Sequence, residues 1–106
     1  MREPINNTIT PWMPEQDRVV LAVLGKLIEE CNELAGRAAR CIIQGIDELD
    51  PASGRTNAAE LAREIADVEA CIIVVENKLD IRPAATRVDD KLAGFRRWHH
   101  MILERL

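Results

Sequence analysis

Apolar residues recur along this chain in alternating steps of four and three. Val20, Leu24, Leu27, Cys31, Leu34, Ala38 and Cys41 form the first such seam, which predicts a long helix with one core-facing side. Leu61, Ile65, Val68, Ile72, Val75 and Leu79 form a second, and Val88, Leu92, Phe95, His99, Ile102 and Leu106 a third. The pattern therefore predicts an all-α protein, an antiparallel helical bundle of three to four helices.

Local signals place the boundaries. Pro14, followed by Glu15 and Asp17, suits a first helical turn, and Gly45 after Gln44 suits a helix end. Either Thr56 or Asn57 can open the second helix, with Glu60 placed as a capping-box acid three residues after Asn57. The third helix is expected from about Pro83 to the end. Residues 1–13, with Pro4 and Pro11 around a run of Asn and Thr, read as an extended arm, and residues 14–106 as a single helical domain. The connection from Gly45 to Asn57 is rich in turn formers and acids and long for a helix link.

Composition supports the helical reading, because 47% of residues are hydrophobic but only 3% aromatic, a balance that disfavours a sandwich or barrel. Net charge is −4 and no arginine-rich tract is present, so nucleic-acid binding is disfavoured. There is no apolar run of the roughly 20 residues a membrane span needs, and no apolar leader at the amino end. A cytoplasmic protein without a membrane partner is expected. Cys31, Cys41 and Cys71 lack metal-type spacing and read as small, reduced hydrophobes.

Acids interrupt two of the seams. Glu30 lies about 60° round the helix from Leu27, and Glu33 about 60° further, so both are expected to border the apolar side, with Glu29 pointing further out. Glu64 and Asp67 share a face of the second helix. Ion pairs such as Lys26 with Glu29 or Arg37 with Glu33 would account for a solvated face. Several carboxylates beside packed seams, however, repel one another and lose hydration unless a cation joins them. All-oxygen ligands point to Mg²⁺, or Mn²⁺, rather than Zn²⁺, and a di-iron site would want Glu-x-x-His pairs that this chain lacks. A Mg²⁺ held this way commonly meets phosphate oxygens, which implies a nucleoside di- or triphosphate.

The pair Glu29-Glu30-x-x-Glu33 and Glu64-x-x-Asp67, with the intervening Gln44–Glu48, Asp50-Pro51 and Gly54–Asn57, resembles the MazG-like, all-α nucleoside triphosphate pyrophosphohydrolases over roughly residues 16 to 100. The resemblance implies Mg²⁺ ligation by Glu30, Glu33, Glu64 and Asp67. Glu29 would be the outer acid, a ligand to a further ion or a positioner of water, and Glu29 and Glu33 the catalytic acids. It also implies cleavage of a nucleoside triphosphate to a monophosphate and pyrophosphate, and a homodimer or homotetramer that completes the bundle across an interface. Lys78, or Lys91 with Arg87 or Arg96, would meet charge on the leaving pyrophosphate. Trp12 or Trp98 would offer a stacking surface to the base. The alternative is a non-catalytic helical oligomer that binds nucleotide or metal as a regulator or adaptor.

Overall fold

In a computed structural model the described residues are 11–106, so most of the arm expected over 1–13 lies outside them. Its last part, 11–13, is exposed and has no regular structure. Three helices follow: α1 (Arg18–Gln44), α2 (Asn57–Leu79) and α3 (Ala85–Glu104). There is no strand among the described residues, only an isolated antiparallel bridge between Leu49 and Thr56 in the α1–α2 connection.

Helix α1 starts four residues later than Pro14 led us to expect. The Asp17 carboxylate accepts from the N–H groups of Val19 and Val20 at 2.9 and 3.0 Å, satisfying two donors that a helix start otherwise leaves open. Pro14 offers no such acceptor. Glu15 instead accepts from the N–H groups of Gln16 and Asp17, each at 3.0 Å, shaping the turn that leads into the cap. At the other end Gly45 adopts φ 97°, and its N–H returns to the Cys41 carbonyl, as a glycine end requires.

Thr56, rather than Asn57, caps α2, its hydroxyl accepting from Ala59 N–H at 3.1 Å. Glu60 then falls one place beyond the capping-box position, and its carboxylate turns to Arg55 and Arg37. Asn57 is fully buried and serves the loop. Its amide donates to the Gly45 carbonyl at 2.8 Å, its side-chain oxygen accepts from Arg37 at 3.1 Å, and its own N–H donates to the Glu48 carbonyl at 2.8 Å.

Helices α1 and α2 pack as a hairpin, but the face that α1 turns to α2 differs from the predicted seam. Val20, Val23, Leu27, Glu30, Leu34, Arg37 and Cys41 are its less exposed residues, whereas Leu24, Cys31 and Ala38 are exposed. The inner side is therefore rotated by one residue at alternate steps, and two of its seven positions are charged. On α2 the buried positions include Glu60, Cys71 and Val75, while Ile65 and Ile72 face out. Val23, Cys71 and Val75, with Leu27 and Leu79 against them, make the apolar core of the hairpin.

Asp80 ends α2 in the left-handed region at φ 53°, and Ile81 N–H donates to the Glu76 carbonyl at 3.2 Å. Helix α3 makes no contact with α1 or α2, and the molecule extends over 63 × 37 × 26 Å. The three-helix bundle is thus not closed among the described residues. The seam residues Val88, Leu92 and Phe95 are exposed, as are Trp98 and Met101 beside them. Outward apolar residues of the hairpin, Val19, Leu21, Ile28, Ile65 and Ile73 among them, are exposed as well.

Replacing Asn57 by Ala removes the Gly45 and Arg37 partners together. Leaving buried groups unsatisfied costs about 2 kcal/mol, and urea denaturation should show that loss. In a domain close to this size each kcal/mol lowers Tm by about 4–8 °C.

Candidate metal centre between two helices

Glu30 and Glu33 stand one turn apart on α1, and Glu64 faces them from α2. One carboxylate oxygen from each lies within 4.8 Å of the other two, near enough for one cation to bridge them. Oxygens of Glu30 and Glu64 are buried without a hydrogen-bond partner. Buried carboxylate oxygens normally find donors, and a hard cation is one partner that could satisfy these two. A donor set of three carboxylates is of the kind that could hold Mg²⁺ or Mn²⁺.

Electrostatics agree with the geometry. The Glu33 carboxyl is pushed above its ordinary range chiefly by the charge on Glu30, then by lost hydration and by Glu64 and Glu29. Lys26 relieves the cluster in part, with Nζ 3.3 Å from Glu29 and 3.7 Å from Glu30. The expected Lys26–Glu29 pair is therefore present, and it holds Lys26 above its ordinary value. The expected Arg37–Glu33 pair is absent, because Arg37 is engaged on the other side.

That engagement is a clasp. Arg37 donates to the buried Asp50 at 2.8 Å, and Arg40 donates to the same oxygen at 3.2 Å. The other Asp50 oxygen accepts from the N–H groups of Ala52 and Ser53. The Arg37 hydrogen bond first, and the Ala52 N–H next, hold Asp50 down to about 2. Arg55 clasps Glu60 and keeps it below the usual carboxylate range. The connection from Gly45 to Asn57 is thereby fixed to α1 one turn beyond Glu33, and the start of α2 with it.

Two hollows meet at the carboxylates. One, of about 410 Å³, is an apolar groove formed by Ala22, Val23, Ala70, Cys71 and Val74, with Lys26, Glu30 and Asp67 at its polar edge. The other, of about 240 Å³, is polar and lined by Glu33, Gly36, Arg37, Arg40 and Glu64. Glu30 belongs to the first and Glu33 with Glu64 to the second, so the trio stands between them.

Other expected site residues are placed elsewhere. Asp67 is exposed and lies at the groove edge, outside the close trio, and Glu29 is half exposed beside Lys26. Lys78 sits in the last turn of α2, eleven residues and about 16 Å along the axis from Asp67. Arg87, Lys91 and Arg96 are on α3, which does not touch the hairpin; Lys91 Nζ lies 5.0 Å above the Phe95 ring. Trp12 is 88% exposed, with Met13 and Pro14 around it, and Trp98 is exposed on α3. Within one chain none of these basic or aromatic groups lines either hollow at the carboxylates. Arg37 and Arg40 do, and the signal for them was available: Arg37 follows Glu30 by seven residues, one heptad along the same face.

Glu33→Gln should leave its mark on stability and on metal binding in opposite directions. Because the folded protein raises the Glu33 value, this residue's contribution to stability is complete at low pH and is lost as pH rises through its folded titration. The amide removes that repulsion, so the metal-free variant should melt above the parent at neutral pH. Mn²⁺ affinity should fall by at least about tenfold, the loss seen even for outer-shell partners of a metal. Asp50 works in the other sense, its contribution being present above about 3.8 and lost as pH falls towards about 2. Thermal melts and Mn²⁺ titrations across pH read both effects. No protein-family model, no curated protein and no solved structure matches this chain.

Proposed function

We propose that this protein is a Mg²⁺-dependent nucleoside triphosphate pyrophosphohydrolase, with Mn²⁺ as a substitute metal. The close carboxylate trio with its two orphaned oxygens carries the reading. The MazG-like spacing of Glu29-Glu30-x-x-Glu33 and Glu64-x-x-Asp67 supports it. So does the layout around the trio, in which an apolar groove suited to a nucleoside and a guanidinium-lined cleft suited to phosphates flank the carboxylates.

Glu30, Glu33 and Glu64 would hold the metal, with Asp67 completing the set from the groove edge. Bound there, Mg²⁺ would supply charge neutralisation on phosphate oxygens and activation of water. The chain's own part is to place the reactants and to move one proton. The apolar groove orients the nucleoside and limits water around it. Glu29, outside the trio and accessible, takes the proton of the attacking water as general base. The water oxygen joins one phosphorus, the α–β anhydride breaks, and a nucleoside monophosphate and pyrophosphate leave.

The working unit is a homo-oligomer, a dimer or a tetramer. Helix α3 has an apolar seam with no partner among the described residues, and the hairpin has outward apolar positions. Charge favours joining the two. Residues 81–106 carry six Lys and Arg against three acids, whereas residues 15–80 carry fourteen acids against seven Lys and Arg. An α3 laid on the hairpin of another copy buries both apolar faces and pairs opposite charges.

Incubation with a panel of canonical and modified nucleoside triphosphates plus Mg²⁺ should release pyrophosphate. Glu33→Gln and Asp67→Asn should lower the rate by about tenfold to hundredfold. No release from any nucleotide, or rates unchanged in both variants, would favour a non-catalytic nucleotide- or metal-binding regulator. Light scattering at micromolar concentration should give a multiple of the 11.9 kDa protomer mass, and Phe95→Glu should reduce it. A monomer that keeps full activity would overturn the oligomeric assignment.

A further inference from the structure

The clasp beside the polar cleft holds more guanidiniums than carboxylates. Arg37, Arg40 and Arg55 face Asp50 and Glu60, three guanidiniums against two carboxylates. The clasp alone has one guanidinium in excess, while Glu33 and Glu64 line the cleft beside it, and burial decides which residue presents that guanidinium to the cleft. Arg37 is 15% exposed and donates to Asp50 and Asn57, whereas the Arg40 side chain is 48% exposed and donates once, to an oxygen that Arg37 already holds at shorter range. A guanidinium has five N–H donors, so most of those on Arg40 are free. Gly36 lies between Glu33 and Arg40 on this face of α1. A Cβ there would meet no atom of the protein within 4 Å, so the space beside Gly36 is open.

Three carboxylates around a divalent cation keep a net negative charge. A polyphosphate bound at that ion brings more, and it needs a fixed cation beside the metal that the carboxylates do not neutralise. From this juxtaposition we infer that Arg40 binds the pyrophosphate end of the substrate in the cleft between Glu33, Gly36 and Glu64. This inference rests on the metal-centre reading above. It assigns the phosphate-binding role to the α1 hairpin face of the same chain instead of to Lys78 or the α3 residues. Arg40 donates in fork geometry to phosphate oxygens, which lysine cannot reproduce. Arg37 is a positioning residue, holding the Asp50 loop against α1 while Arg40 turns outward.

The test uses the full chain, with Mn²⁺ binding followed by electron paramagnetic resonance and inorganic pyrophosphate titrated calorimetrically into the Mn²⁺-saturated protein. Arg40→Gln should keep the Mn²⁺ affinity of the parent and weaken pyrophosphate by about tenfold or more, as expected for loss of a charge-assisted contact. Arg40→Lys should fall between the two. Gly36→Leu, which fills the cleft without changing charge, should weaken pyrophosphate and leave the folded state intact. Asp50→Asn loosens the loop but keeps both guanidiniums, and it should not reproduce the Arg40→Gln loss. In the parent enzyme's reaction, the Arg40→Gln defect should appear mainly in KM.

Unchanged pyrophosphate affinity in Arg40→Gln with Mn²⁺ binding intact overturns the inference and leaves the metal centre standing. Equal losses in Arg40→Gln and Asp50→Asn would make Arg40 a loop support and also overturn it. Absence of Mn²⁺ binding in the parent chain removes the metal centre and this inference together. Should Arg40→Gln fail to fold, Arg40→Lys decides, because it keeps a cation opposite Asp50; parent-like pyrophosphate affinity there counts against the assignment.

Discussion

A guanidinium on the inner face of α1 sets where α2 begins, and the candidate site follows from that. Arg37 reaches the buried Asp50 and the side chain of Asn57 at once, joining the middle of the connection to the first residue of α2. A buried charge is tolerated only when paired and hydrogen-bonded, so these groups admit few alternative arrangements. The register of α2 against α1 is fixed by that constraint at one end and by Val23, Cys71 and Val75 further along. Glu64 lies between the two anchors, two turns into α2, and is carried to Glu30 and Glu33 by the rigidity of the helix.

The same hairpin therefore contains two polar clusters with opposite logic, one around the buried Asp50 and one around the exposed Glu33. Around Asp50 both carboxylates, Asp50 and Glu60, have guanidinium partners, and the Asp50 carboxyl group is held well below its usual range. Around Glu33 like charges face one another, and the carboxyl group is pushed up. Helix packing that ends in mutual repulsion lowers stability, and a fold under no other demand would place Gln or an apolar residue there. The satisfied cluster stabilises the geometry that the unsatisfied one needs. Under the proposed metal reading, the rigid helices would supply the ligands and the bound cation would offset the repulsion.

Periodicity in the sequence was enough to find three helices and the acidic pairs on two of them. Helix ends were legible where one residue decides the matter, as at Gly45, and less so where several candidates compete, as among Pro14, Asp17, Thr56 and Asn57. The inner face of α1 was read by hydrophobicity, so Leu24, Cys31 and Ala38 were preferred over Val23, Glu30 and Arg37. Burial here follows pairing as well as greasiness, and pairing depends on Asp50 and Asn57, which are 13 and 20 residues away in sequence. For the same reason the acids seemed to border the seam, when Glu30 in fact belongs to it. Charge alone points to the basic residues of α3 as phosphate partners, and within one chain α3 does not touch the hairpin that carries the carboxylates.

The unpartnered α3 and the strained carboxylates pose related physical problems. A hairpin of two helices with a core of few buried side chains contributes little stability by itself, yet this one contains like charges in its packed face. In the proposed oligomer, stability would also come from surface exposed among the described residues: Phe95, Leu92 and Val88 on α3, and Ile65 and Ile73 on the outer sides of α2. Burying those residues in an oligomer would stabilise α2 from the side opposite Glu64. Subunit association and metal affinity would then act on one helix, so that a change on the outer face of α2 alters the carboxylate geometry on the inner face without touching it.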